Sequence, residues 1–145
     1  ERDYSVVEER IRELLEERGI RARAYEPAGG TRYIVDDIQA QIRRSHFCIA
    51  DMTGLNPNVV AEVAMMIVMR KHFMLIKRRG DLTEIPFDFS QYPFHEYEVN
   101  ASGLRTWNTA QSTFQPFEAV LDRFIERLPQ DTGFFSAQQY QASRR

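Results

Sequence analysis

The residues best placed to do chemistry lie in one stretch, Asp51-Met52-Thr53-Gly54-Leu55-Asn56-Pro57-Asn58-Val59-Val60-Ala61-Glu62. It starts at the end of an apolar run and finishes inside a helix. Asp51 closes the run, and Glu62 sits among valine, alanine and methionine. Such surroundings desolvate a carboxylate and raise its pKa. With Asp51 nearby, Glu62 can serve as a nucleophile or as the counter-charge to an oxocarbenium-like centre. Asn56 and Asn58 flank the helix start, where backbone N–H groups favour anionic or oxygen-rich ligands. The plain alternative for Glu62 is a buried cap, or an ion-pair partner of Arg43 or Arg78.

Positioning these groups requires alternating elements. Val7, Ile11, Leu14, Leu15 and Arg18 share one face of a helix expected over Tyr4 to Arg18. Ile20 to Tyr25 alternates apolar and basic residues, as a strand at or near a sheet edge would. A second helix is expected from Tyr33 to Arg44, with Ile34, Ile38 and Ile42 spaced by four. His46 to Ala50 reads as a buried parallel strand. Pro57 suits the first turn of a third helix capped by Asn56, running to about Lys71. Phe73 to Ile76 is another buried strand and Glu96 to Val99 a further one. Ala101 to Thr113 reads as a polar loop holding Trp107, followed by a helix from Phe114 to Leu128. The alternation predicts an α/β fold with a mostly parallel sheet and helices on both faces. Residues 1–128 form one domain in this reading, and 129–145 a C-terminal tail.

Other candidates carry less. Pro27-Ala28-Gly29-Gly30 lacks the spacing of a phosphate-binding loop and reads as an ordinary turn. His46, His72 and His95 lack metal-ligand spacing, and a single cysteine, Cys48, cannot build a cysteine-rich zinc site. No metal is expected. Lys77-Arg78-Arg79 reads as a solvated turn, with a phosphate contact as the alternative. Asp88 either caps a turn or faces the site. Met65, Met66, Met69 and Met74 read as core or as an assembly surface.

The run Asp-Met-Thr-Gly-Leu-Asn-Pro-Asn-Val, followed by Glu62, resembles the nucleoside 2-deoxyribosyltransferase-like and TIR-like superfamily. Ile38 to Ser45 before it, Phe73 to Ile76 after it, and the Ile85 to Phe89 and Glu96 to Val99 segments extend the likeness over Tyr4 to Val99. The resemblance implies a flavodoxin-like three-layer sandwich and cleavage or exchange of N-glycosidic bonds in nucleosides, nucleotides or NAD. It implies Glu62 as the catalytic carboxylate, with Asp51 as the strand-end acid beside it. Thr53, Asn56, Asn58 and Asp88 become the expected substrate-binding residues. NAD or a nucleotide would be substrate, so no separate cofactor is implied. Members of the group often assemble and often act in antiviral defence, so a homo-oligomer or a neighbouring domain is the expected partner. The pattern's first strand should precede Tyr4, and the chain shows none there. Met66 also stands where the pattern prefers a small residue. Those two features support a rival reading, a non-catalytic nucleotide-sensing or protein-interaction module on the same fold.

Composition bounds these readings. The chain has 145 residues, 19 Lys and Arg against 21 Asp and Glu, and a hydrophobic fraction of 43%. It can bury a core. No apolar run nears the ~20 residues of a membrane span, so no membrane association is expected. A net charge of -2 argues against a nucleic-acid binder, which usually carries a basic excess. One cysteine fits a reducing, cytoplasmic setting.

Overall fold

The structure is a computed structural model that describes residues 2–24, 34–86, 89, 91–129 and 139–143. Its helices are α1 (Arg2–Glu17), α2 (Ile34–Arg44), α3 (Pro57–Val68) and α4 (Phe117–Glu126). Its strands are β1 (Arg21–Ala24), β2 (Phe47–Asp51), β3 (His72–Arg78), β4 (Phe94–Asn100), β5 (Gly103–Asn108), β6 (Thr113–Pro116) and β7 (Gln139–Ser143). They form one seven-stranded sheet in the order β1-β7-β2-β3-β4-β5-β6. Pairing is parallel from β1 to β4 and antiparallel from β4 to β6. The fold is α/β with a mixed sheet.

Strand alternation divides the core into two faces. Phe47 and Ile49 of β2, Met74 and Ile76 of β3 and Tyr97 of β4 point to one side. There they meet the stripe Val7, Ile11, Leu14 and Leu15 of α1, and Phe117, Val120 and Leu121 of α4. Ala50 and Leu75 point to the other side, under Val59 and Val63 of α3. Cys48 lies on that side too, beneath Met66 and the α2 residues Ile38 and Ile42. Each large side chain so buried contributes about 1.5–3 kcal/mol of hydrophobic stabilisation. The expected stripe of α1 is therefore the face that docks. Arg18, expected on it, instead closes the helix against α4. Its Nε donates to Asp122 Oδ1 at 2.5 Å and its Nη1 to the Leu14 carbonyl at 2.8 Å.

Three expectations change. The polar loop over Ala101 to Thr113 is largely strand β5. Leu104 and Thr106 are buried, and Arg105 and Trp107 alternate with them, the period-two pattern of a half-covered strand. The last helix begins at Phe117 rather than Phe114, because Thr113–Pro116 pairs with β5 as β6. The tail contributes β7, which pairs with β1 on one side and β2 on the other. Both neighbours present backbone donors and acceptors inward, and a strand between them satisfies both rows. Pro27 to Gly30 and Asp88 lie outside the described residues. Among the described residues no helix is long and apolar enough to cross a membrane.

Candidate functional site

The loop from β2 to α3 is held at both ends by backbone geometry. The Met52 N–H donates to the Ile76 carbonyl at 2.8 Å, extending the β2–β3 pairing by one residue. The chain then makes a single tight turn over Thr53–Leu55, in which Gly54 takes φ 71° and Leu55 φ 52°. Glycine adopts this left-handed region freely, and leucine does so at a cost. Asn56 caps α3 as expected, its Oδ1 accepting from the Asn58 N–H at 2.9 Å, and Pro57 occupies the first helical position. The amide oxygen of Asn56 is thus committed to the helix, while Asn58 is exposed.

Asp51 is the hub of the loop. Its Oδ1 accepts from the Thr53 N–H at 3.0 Å and from the Thr53 hydroxyl at 2.6 Å. Its Oδ2 accepts from the Tyr97 hydroxyl at 2.5 Å. The Thr53 oxygen in turn accepts from the Arg78 N–H at 2.8 Å, tying the loop to the end of β3. Burial pushes the Asp51 pKa up, and the bonds from Thr53 and Tyr97 and the Arg78 charge pull against it. Asp81 braces the same loop from the turn that follows β3. Its Oδ2 accepts from the Gly54 N–H at 2.9 Å and its Oδ1 from the Thr83 hydroxyl at 2.7 Å. Burial raises the Asp81 pKa, but the bonds from Gly54 and Thr83 outweigh it and hold the group below its ordinary value.

Glu62 lies elsewhere. It is 1% exposed, on the face of α3 that carries Val59, Val63 and Met66 toward the sheet. Its charge acts on Cys48, whose thiol burial first and Glu62 second push up to about 12, against the pull of Lys71. Cys48 is therefore an inert buried thiol. Asp51 has the strand parity of Phe47 and Ile49 and bonds Tyr97, on the α1 and α4 side. Glu62 packs on the α2 and α3 side with Cys48. The structure thus brings Asp51 and Thr53 together, and Asn56 and Asn58, but sets the two carboxylates on opposite faces of the sheet.

The reading of the sequence missed Tyr97 and Asp81. Tyr97 is 1% exposed in a strand that otherwise alternates it with glutamates, and that lone aromatic at an inward position was the available signal. Asp81 follows Gly80 in a turn and gave no signal of its own. In the basic run after Ile76, Lys77 and Arg78 belong to β3 rather than to a turn. Lys77 Nζ donates to the Thr83 carbonyl at 3.2 Å, and the Arg79 guanidinium lies 4.0 Å from the Trp107 ring centre while pairing with Glu96 at 3.5 Å. Among the described residues no three His, Cys, Asp or Glu side chains converge in a way that could hold a metal ion. No family model, curated protein or solved structure matches the chain.

Proposed function

We propose that this chain is an N-glycosyl bond domain of the deoxyribosyltransferase-like and TIR-like kind, acting on NAD or on a nucleoside or nucleotide. The observation that carries the reading is Glu62, a carboxylate 1% exposed on a helix that follows the strand–turn–Asn-Pro-Asn segment. The strand order supports the flavodoxin-like assignment. With β7 standing where a first strand would, β1-β7-β2-β3-β4 runs in the order second, first, third, fourth, fifth.

In this mechanism the C1′–N bond of the ribose breaks and the departing base takes its electron pair. With NAD the nicotinamide leaves neutral and needs no proton; the base of a nucleoside leaves as an anion and takes up the proton that the attacking water or acceptor hydroxyl loses. The Glu62 carboxylate either bonds to C1′, to be displaced later by water or an acceptor, or stabilises the cation until water attacks. Low surrounding polarity strengthens its attraction for the developing positive charge. Asp51 takes a different part from the one the motif implies. With Thr53 and Tyr97 it holds the shape of the loop, and it is a positioning residue. Because Glu62 is closed off from solvent, substrate reaches it only when the elements around α3 part.

A second reading, the non-catalytic sensing or interaction module, is favoured by one observation. Met66 is fully buried one turn beyond Glu62 and fills the space over Cys48 with Ile38 and Ile42. The deciding experiment incubates the chain and its Glu62→Gln variant with NAD and a panel of nucleosides and nucleotides. The enzyme reading expects release of nicotinamide or base that falls at least about a hundredfold in the variant. Absence of release from folded protein, with ligand raising its melting temperature, supports the module.

A further inference from the structure

The loop of Asp51 and Thr53 lies at the carboxyl end of β2. The opposite end of the sheet gathers the amino ends of β2, β3 and β4 with the C-termini of α2, α3 and α4. Two adjoining cavities open there, of about 350 and 270 Å³, sharing Lys71 and His72. Among the described residues their walls carry six cations, Arg43, Arg44, Arg70, Lys71, Arg123 and Arg127, and no carboxylate. His46, His72 and His95 add an imidazole at the amino end of each of three neighbouring strands.

Five arginines elsewhere pair with carboxylates. Arg10 pairs with Glu13, Arg12 with Glu8, Arg18 with Asp122, Arg79 with Glu96 and Arg105 with Glu98. Among the described residues none of the six cations at the amino end has a carboxylate within ion-pair distance. Arg44 and Lys71 donate to backbone carbonyls, and Arg123 to Gln115. Helix ends alone do not account for the cluster. Each C-terminus carries about half a negative charge, so three supply about −1.5. Six full positive charges exceed that several-fold.

Arg70 strengthens the point. It follows α3 with φ 55°, donating to the Ile67 carbonyl at 3.1 Å while Lys71 N–H reaches the Met66 carbonyl at 2.9 Å. The left-handed residue of such a helix ending is ordinarily glycine. Here the position holds an arginine whose side chain is exposed at the cationic end.

We propose that this end of the sheet binds the phosphate backbone of a nucleic acid. The cations come from the C-terminal ends of α2 and α3 on one face of the sheet and of α4 on the other. With each layer about 10 Å thick, they span roughly 20 Å, too wide for one phosphate and suited to a run of them. The larger cavity also presents Tyr92, half-buried with its ring 5.3 Å from that of Phe73, as a surface for a base to stack on. Recessed cavities fit a strand of phosphates better than a flat lipid surface, which is met by a protruding amphipathic helix. This site is distinct from Glu62 and does not rest on the reading of that residue.

The test is fluorescence anisotropy of a labelled, mixed-sequence single-stranded oligonucleotide, on the order of 20 nucleotides, titrated with the full chain. Salt is varied from about 50 to 200 mM. Affinity is expected to fall linearly on a log–log plot of salt. Arg70→Gly should flatten that slope by about one and weaken binding about threefold or more, with the thermal midpoint held or raised. Because glycine suits the backbone at Arg70, loss of binding there separates from loss of folding. Combining it with Arg43→Gln and Arg127→Gln should cost tenfold or more. Arg10→Gln, away from this end, should bind as the parent does. The proposal is overturned by no binding at about 50 mM salt, or by parental affinity in the triple variant. It is equally overturned by a loss in Arg10→Gln equal to that in Arg70→Gly, or by capture on phosphatidylserine vesicles without oligonucleotide binding.

Discussion

Two hydroxyls sit opposite each other in the β4–β5 register and meet different fates. Tyr97 donates to Asp51 Oδ2 at 2.5 Å, whereas the Thr106 hydroxyl, fully buried, has no hydrogen-bond partner among the described residues. Removing a donor from a buried carboxylate leaves an unsatisfied acceptor. Removing an unpartnered hydroxyl relieves a desolvation cost. Tyr97→Phe is therefore expected to lose about 1–3 kcal/mol of stability, and Thr106→Val to hold or gain up to about 1 kcal/mol. Urea midpoints at constant slope would measure both. A stable Tyr97→Phe protein would refute the placement of Asp51 as hub of the loop. Asp51 itself has its pKa raised by burial, so it favours the folded state at low pH. That contribution is lost as pH rises from the ordinary carboxylate value through the folded one.

Among the elements, α1 and α4 share one face of the sheet and are joined by a two-pronged bond. Arg18 Nε reaches Asp122 Oδ1 at 2.5 Å and Nη2 reaches Oδ2 at 3.2 Å. The Arg18 bond, ahead of the opposing effect of desolvation, holds the Asp122 pKa below its ordinary 3.8. A depressed carboxylate pKa stabilises the fold above the ordinary value, and the gain is lost as pH falls through the folded one. The Asp122 side chain is 48% exposed, so solvent screening limits the effect. Asp122→Asn should cost about 0.5 kcal/mol at pH 7, and its deficit should shrink to nothing as pH falls through and below the carboxylate range. Thermal melts of both proteins from neutral to acid pH would show it. A deficit constant across that range would assign the cost to packing instead.

At the scale of the whole molecule, β7 decides whether the sheet is continuous. It pairs with four residues of β1 and four of β2, and nothing else among the described residues joins those two strands. A chain ending at Leu128 should therefore lose cooperative unfolding, read as a collapsed, slope-poor urea transition by circular dichroism. Retention of the full-length midpoint would show that β7 is dispensable. Charge is also a property of this scale. A net charge of -2 averages a cationic end against carboxylates placed elsewhere in the molecule. The composition argument against nucleic acid is blind to that sorting.

The alternation of periods was legible in the residues alone. Val7, Ile11, Leu14 and Leu15 marked the docking stripe of α1, Asn56-Pro57 marked the start of α3, and the apolar run before Asp51 marked β2. These depend on neighbours in the chain, and local chemistry determines them. Three things were decided only by the tertiary structure. Gln139–Ser143 has an unremarkable sequence and becomes a strand because β1 and β2 offer it two unpaired edges. Asp51 and Glu62 are eleven positions apart, yet strand parity sends one to each face of the sheet. The cations of the amino end come from three separate helix endings, which only the parallel stacking of strands and returning helices brings to one place. In each case the cause is a contact between residues distant in sequence, and no local pattern encodes such a contact.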